Sequence, residues 1–297
     1  MIRDIDQGRI MVVTDLHGNG YDYRQIIDVY RNLKEANSVD YLVFVGDLIH
    51  SYPGQKDESV AIVEDLMERG ANQEDSDIIC LLGNHEFVHI YHIALAKGHL
   101  EFTSWFERRI VKKRKKFIDF FQAMPLAVRT KGGVLIHHTG ASEIYSPQSK
   151  IFQDFQVLKE YSHTESLNGL KHIKSDLNPF GKYDTTVGQT FMQTLEGDWF
   201  WEMLMNGNER QYGPAYPQMV NQMLDYMSSD RQGLPLRVMV TGHIGVDYGA
   251  EVVTEGQLRL CSSAGCLGDL EKKILLFPAE KGIESASQLI EYCRDLY

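Results

Sequence analysis

Five apolar runs along the chain share one pattern. Ile10-Met11-Val12-Val13-Thr14 runs into Asp15-Leu16-His17, and Val43-Phe44-Val45 stops at Gly46-Asp47. Asp77-Ile78-Ile79-Cys80-Leu81-Leu82 leads into Gly83-Asn84-His85-Glu86, Gly133-Val134-Leu135-Ile136 into His137-His138, and Arg237-Val238-Met239-Val240-Thr241 into Gly242-His243. Short runs rich in β-branched residues are core strands of a sheet covered on both faces. Residues just beyond the carboxyl ends of such strands lie where open α/β sheets bind ligands. Each run is followed there by Asp, Asn or His.

Between the first three runs the period changes to that of a helix. Ile26, Ile27, Tyr30 and Leu33 line one face of a helix over residues 21–35, and a second helix covers about 58–69 before Gly70. Strand, helix, strand, helix, strand implies parallel strands joined by right-handed crossovers. Residues 89–121 read as mostly helical, with Pro125 beyond. Adjacent strands are expected at 126–129 and 133–136, further strands at 236–241, 250–253, 257–261 and 272–277, and a last helix at about 284–296. The pattern weakens over 143–230, where Trp199, Phe200 and Trp201 mix with Gly/Pro turns. That segment reads as an insertion or cap on a single domain spanning 1–297.

Composition narrows the function classes. Of the 297 residues, 43% are hydrophobic and 24% charged, as in an ordinary soluble protein. A net charge of -11 argues against general nucleic-acid binding, which draws its affinity from a basic surface. The run Lys112-Lys113-Arg114-Lys115-Lys116 reads as a solvated helix face beside Phe106, Ile110, Phe117, Phe120 and Phe121. There is no apolar stretch long enough to span a bilayer and no signal-peptide pattern at Met1-Ile2-Arg3-Asp4. Cys80 lies inside a strand, and Cys261 and Cys266 lack CxxC spacing. The expectation is a reduced, cytoplasmic protein without membrane or nucleic-acid partners.

The strand ends carry the candidate chemistry. Asp15-x-His17 offers a carboxylate and an imidazole, a normal ligand pair for a borderline divalent cation. Asp47 adds a second carboxylate after a glycine that lets the backbone turn sharply. Asn84 can offer an amide oxygen, and His85 can act as an acid or as a donor to phosphate. Glu86 begins a helix, where negative charge is favourable. One of His137 and His138 would face the site while the other packs, and His243 sits between glycines 242 and 245.

In order and spacing, Asp15-Leu16-His17-Gly18-Asn19, Gly46-Asp47, Gly83-Asn84-His85-Glu86, His138 and Gly242-His243 resemble the calcineurin-like metallophosphoesterases, most of all the phosphoprotein phosphatase branch. The resemblance covers 9–142 and 236–277. It implies a four-layer α-β-β-α sandwich, two mixed sheets flanked by helices, with a metal site at the strand carboxyl ends. It also implies two divalent metal ions (Mn, Fe or Zn), one held by Asp15, His17 and Asp47, the other by Asp47, Asn84, His138 and His243. His138 is taken over His137 because His138-Thr139-Gly140 is closer to the family pattern. Asp47 and His85 would be the catalytic residues, with Asn84 and His85 touching substrate.

One departure stands out. Where the family reads Gly-Asp-x-x-Asp-Arg, this chain reads Gly46-Asp47-Leu48-Ile49-His50-Ser51. The missing Asp would orient the motif histidine, and the missing Arg would grip phosphate bidentately. Arg210 is the leading candidate for a replacement phosphate contact, ahead of Arg108 and Arg109. The implied activity is hydrolysis of phosphate monoesters by metal-activated water, on a phosphorylated protein or a small phosphate ester. Two alternatives accompany it. One is a symmetrical bis(5'-nucleosyl)-tetraphosphate hydrolase, with aromatic residues of 199–212 holding the nucleotide. The other is a metal-binding but inactive binding module.

Overall fold

Alternation along each strand decides the layering. In the computed structural model, which describes residues 1–97, 100–144, 151–170, 186–266 and 268–297, strand β2 (Arg9–Val13) buries Ile10 and Val12 on one face and Met11 and Val13 on the other. The same split recurs in β3 (Tyr41–Phe44) and β4 (Ile78–Cys80). It recurs again in β8 (Val134–His137) and β9 (Val238–Thr241). One face of each sheet packs against the other sheet and the second packs against helices. A side-chain period of two and coverage on both faces leave no other way to bury a continuous apolar run.

The first sheet has six strands in the order β1 (Ile2–Ile5), β7 (Ala127–Thr130), β8, β9, β11 (Gln257–Leu260) and β10 (Ala250–Thr254). The second has five, in the order β13 (Cys293–Asp295), β12 (Lys273–Pro278), β2, β3 and β4. Both are mixed. The β2–β3 and β3–β4 pairs are parallel, as the crossovers require, while β12 joins β2 antiparallel. In the other sheet β8 and β9 are parallel and β7 and β8 antiparallel. A small hairpin, β5 (Ala96–Lys97) and β6 (Leu100–Glu101), lies outside both.

Helices α1 (Gly20–Glu35), α2 (Ser59–Glu68), α3 (Asn84–Tyr91), α4 (Thr103–Ile110) and α5 (Arg114–Gln122) contribute to the hydrophobic cluster on the outer face of the second sheet. Asn19 caps α1, its side-chain oxygen accepting from the amides of Tyr21 and Asp22. Then come α6 (Phe155–Lys159), α7 (His163–Gly169), α8 (Thr186–Met192), α9 (Leu195–Trp199), α10 (Tyr216–Ser228) and the short α11 (Ala286–Leu289). The described residues of 151–230 share the core cluster through Phe152, Leu158, Phe191, Trp199, Phe200 and Met223. Residues 145–150 and 171–185 of the expected 143–230 insertion lie outside the described residues.

Three expectations change. The helix expected over 89–121 is interrupted at His92, which takes a left-handed conformation (φ 58°), and resumes as α4 and α5. The last helix, expected at about 284–296, stops at Leu289, and Cys293–Asp295 pairs antiparallel with β12 as an edge strand. Backbone pairing with an open sheet edge outweighs local helical propensity there. Strand β1, parallel to β7, has no counterpart in the expected elements.

Candidate metal centre

The centre is built around the Asp47 loop. Gly46 and Asp47 both have positive φ (82° and 51°), so the chain leaves β3 by a sharp left-handed turn. A Cβ on Gly46 would lie 2.7 Å from Gly83 Cα and 2.8 Å from His138 Nδ1, so only glycine lets these segments close together. A Cβ on Gly242 would fall 2.2 Å from Asp15 Oδ2. Among the described residues nine non-glycine residues have positive φ, and five of these are Asp15, His17, Asp47, His50 and His243, all in the loops after β2, β3 and β9. Such strain gathers where a fold holds side chains in a set arrangement.

Glu86 braces that loop. Its buried carboxylate accepts from the amides of Asp47 (3.0 Å), Leu48 (2.8 Å), Ile49 (3.3 Å) and Gly83 (3.2 Å). The Asp15 loop lies alongside, with the His17 amide donating to the Asp47 carbonyl and the Gly18 amide to the Leu48 carbonyl.

Two imidazoles are turned the same way by backbone carbonyls. His17 Nδ1–H donates to the His50 carbonyl (3.2 Å), and His138 Nδ1–H donates to the Val45 carbonyl (2.7 Å). Each then presents the Nε2 lone pair inward. His17 Nε2 lies 3.5 Å from Asp47 Oδ2. His138 Nε2 lies 3.3 Å from Asp47 Oδ1 and 3.2 Å from Asn84 Oδ1. Lone pairs thus face lone pairs, which no hydrogen bond among these groups satisfies and a cation would. Ligand atoms of His17, Asp47 and His85 lie within 4.8 Å of one another, as do those of Asp47, His138 and His243, so Asp47 belongs to both groups.

The electrostatics agree. Burial pushes Asp47 up to about 7, and burial together with the Asp47 charge raises Asp15 well above the usual carboxylate range. Burial lowers His17 to about 3 and His138 to about 4, so both are neutral bases at pH 7. Buried carboxylates short of positive charge beside neutral imidazoles make a donor set that fits divalent cations.

The sequence from residue 8 to residue 247 matches the family model described as calcineurin-like phosphoesterase. The chain belongs to that family. It is a metal-dependent phosphatase, hydrolysing phosphoesters. No curated protein matches the chain. Among solved structures, a cold-active protein tyrosine phosphatase aligns with a TM-score of 0.53 at 12% identity, over 93% of this chain and 75% of its own. A protein serine/threonine phosphatase from Saccharomyces cerevisiae aligns at 0.49 and 13%, over 93% and 75%. A metallophosphoesterase from Sphaerobacter thermophilus aligns at 0.41 and 13%, over 93% and 86%. At these identities the first likeness speaks to the fold.

In this phosphoesterase the residues singled out from sequence fall into place unevenly. Asp47, His17, His85, His138 and His243 come together, with Asn84 beside His138. Asp15 stands at the edge, where Oδ1 accepts the His243 amide (2.8 Å) and the carbonyl accepts the Ala264 amide (2.9 Å). His137 continues the Leu135 face toward the helices, and its Nδ1–H donates to the Thr139 carbonyl (3.0 Å). Arg210 is exposed on a 3-10 turn (Glu209–Gln211) that the Glu209–Arg259 ion pair ties to β11. Arg109 pairs with Asp57 (2.6 Å) and stacks over Trp105. Trp199 and Phe200 are fully buried in the core, so they cannot stack on a nucleotide. Sequence reasoning missed the brace formed by Glu86. Its signal was a glutamate directly after the Asn-His pair, at the start of a helix pointing back at Asp47.

Proposed function

We propose that this phosphoesterase hydrolyses phosphate monoesters on phosphorylated proteins or small molecules, with two divalent cations at the strand ends. Asp15, His17 and Asp47 hold one cation, and Asp47, Asn84, His138 and His243 the other. The observation that carries this reading is Asp47, whose carboxylate is common to both imidazole groups. Bound there, the cations supply Lewis-acid charge to in-line attack by water on phosphorus.

The chain's own groups do the rest. Glu86 holds the Asp47 loop still through four amides, so the shared carboxylate is fixed before substrate arrives. His85, over the same site, protonates the leaving oxygen. Arg210 reaches a substrate phosphate from its exposed turn. A groove of about 560 Å³ opens beside His50, lined by Tyr52, Pro53, Phe102, Trp105 and Arg109, and takes the organic part of the ester. Its open, partly aromatic walls suit a peptide side chain and its neighbours better than a nucleotide held on all sides.

The test is a side-by-side assay of p-nitrophenyl phosphate, a phosphoserine peptide, a phosphotyrosine peptide and diadenosine tetraphosphate, each with Mn, Fe or Zn. Turnover of the monoesters, lost by at least a thousandfold in Asp47→Asn, is expected. Preferential cleavage of the dinucleotide would replace this reading, and no turnover on any ester would leave a binding module.

A further inference from the structure

The inner nitrogen of His85 begins a chain of hydrogen bonds that leaves the site. His85 Nδ1 lies 2.9 Å from His50 Nδ1, His50 Nε2 lies 2.9 Å from His89 Nε2, and His89 Nδ1 lies 2.9 Å from Glu107 Oε1. Beyond Glu107 stands Arg114, whose Nε–H donates to Oε2 (2.8 Å) and which also bonds the His89 carbonyl and His92. His50 and His89 are buried, and His50 is stacked on Phe102 and held edge-on by Phe106.

The proton positions follow from the far end. Burial raises Glu107, but its bonds to His89 and Arg114 outweigh that and hold it below the usual range, so it is an ionised acceptor. His89 Nδ1 must then carry a proton and donate. His89 is fully buried among Phe106 and Phe121 and stays neutral, so with its one proton on Nδ1 its Nε2 is a lone pair and accepts from His50 Nε2–H. His50 Nδ1 is in turn a lone pair and accepts from His85 Nδ1–H. One carboxylate on α4 thereby dictates three tautomers and leaves the lone pair of His85 on Nε2; a proton taken up there from solvent is the one passed to the leaving oxygen, while the Nδ1–H bond to His50 steadies the ring during that step.

We propose that Glu107, acting through His89 and His50, is the positioning residue for His85, performing across two imidazoles what a carboxylate in direct contact with His85 would do. The proposal rests on the reading of His85 as the proton donor. It also gives Arg114, the middle of the basic run, a task distinct from its neighbours. Lys113 and Lys115 make surface pairs with Glu64 and Asp119, whereas Arg114 anchors the chain.

Glu107→Gln makes the test sharp. Arg114 cannot accept a hydrogen bond, so the amide oxygen must face Arg114 and the NH₂ must face His89. Every bond in the chain then reverses, and His85 becomes an Nε2–H tautomer whose Nδ1 accepts; Nδ1 can then no longer carry the second proton, and the neutral ring is too weak an acid to protonate an alkoxide leaving group. Ring 15N spectra of the metal-free and zinc-loaded proteins should show His85 protonated at Nδ1 in the parent and at Nε2 in Glu107→Gln. Turnover of an alkyl phosphate, which needs its leaving oxygen protonated, should fall about 100-fold or more, and that of p-nitrophenyl phosphate less than tenfold. His50→Asp sets a carboxylate oxygen where Nδ1 stood. Placed in the Glu107→Gln background it should restore the Nδ1–H form and at least tenfold of the alkyl phosphate activity. Should Glu107→Gln not fold, the parent spectrum alone decides: His85 protonated at Nε2, or His89 not protonated at Nδ1, overturns the proposal. Unchanged His85 tautomers in Glu107→Gln, or no recovery with His50→Asp, overturn the proposal. His85→Asn separates the two readings: equal losses on alkyl and aryl esters would remove the proton-donor role, while the 15N spectra would still report the chain.

Discussion

Replacing Gly83 by alanine isolates how tightly the Asp47 loop is enclosed. Gly83 has φ -95°, a conformation open to any residue, so backbone strain plays no part. On entropy alone the change would stabilise the protein by about 0.4–1 kcal/mol. The added Cβ, however, would sit 2.4 Å from both the amide nitrogen and Oδ1 of Asp47, and 2.8 Å from Glu86 Oε2. Ordinary contact begins at 3.4 Å, so Asp47 must retreat by 3.4 − 2.4 = 1.0 Å. A metal site tolerates displacements of only about 0.2 Å. Overpacking of this kind costs about 1–3 kcal/mol, so a net destabilisation of about 1–2 kcal/mol is expected. Metal affinity should fall about 10- to 100-fold, the usual effect of disturbing a ligand's support. Competition with a chromophoric chelator for Mn or Zn measures the second effect and thermal unfolding the first. Gly54→Ala is the control: its φ is +84° with nothing within 4 Å, so it should cost about 1 kcal/mol and leave metal binding alone. If Gly83→Ala bound metal like the parent and unfolded at the same temperature or higher, the enclosure argued here would be wrong.

Further tests address other parts of the molecule. Glu86→Gln must turn an NH₂ group toward either the Asp47 and Gly83 amides or the Leu48 and Ile49 amides, so it should lose about 1–3 kcal/mol in chemical denaturation. Burial raises Asp230, but its bonds to Arg129 and Lys159 win and hold it at about 2, below its ordinary 3.8. Its folded value being the lower, that stabilisation, about 1 kcal/mol once solvent screening of the exposed carboxylate is allowed for, is complete above pH 4 and lost as the pH falls toward 2; Asp230→Asn should remove it at pH 7 and flatten the acid limb of the stability curve. Adding Mn or Zn at a hundred times the dissociation constant should raise stability by about 2.7 kcal/mol, and a chelator should reverse it; Asp47→Asn should abolish the response. Trp199→Ala, emptying a fully buried side chain of α9, should destabilise the whole fold by about 3–5 kcal/mol in one transition.

Much of this was legible in the residues because strand and site obey the same short-range rule. The runs before Asp15, Asp47, Asn84, His138 and His243 are apolar enough to force burial, and a chain leaving a buried strand has few directions to take. Strand alternation even separates the two adjacent histidines, since Val134 and Ile136 point between the sheets and so does His138, while His137 follows Leu135 toward the helices. What stayed hidden depends on partners distant in sequence. Glu107 and His89 look like ordinary helical polar residues until α3 and α4 are laid side by side. Cys293-Arg294-Asp295 has no strand signature of its own and is made a strand by the free edge of β12. Residues 151–170 and 186–215 show no clear periodicity because their helices run only a turn or two and bury one or two side chains each.

The left-handed residues around the centre set activity against robustness. Asp15, His17, Asp47, His50 and His243 each hold a backbone shape that glycine would adopt freely and that side chains resist by about 1 kcal/mol or more. Glycine at Asp47, whose buried carboxylate is also short of positive charge, should therefore yield a protein that, without added metal, survives heat as well as or better than the parent, and that is poorer at its chemistry. A search for heat-tolerant variants of this chain, run without an activity screen, would be drawn toward disarming it.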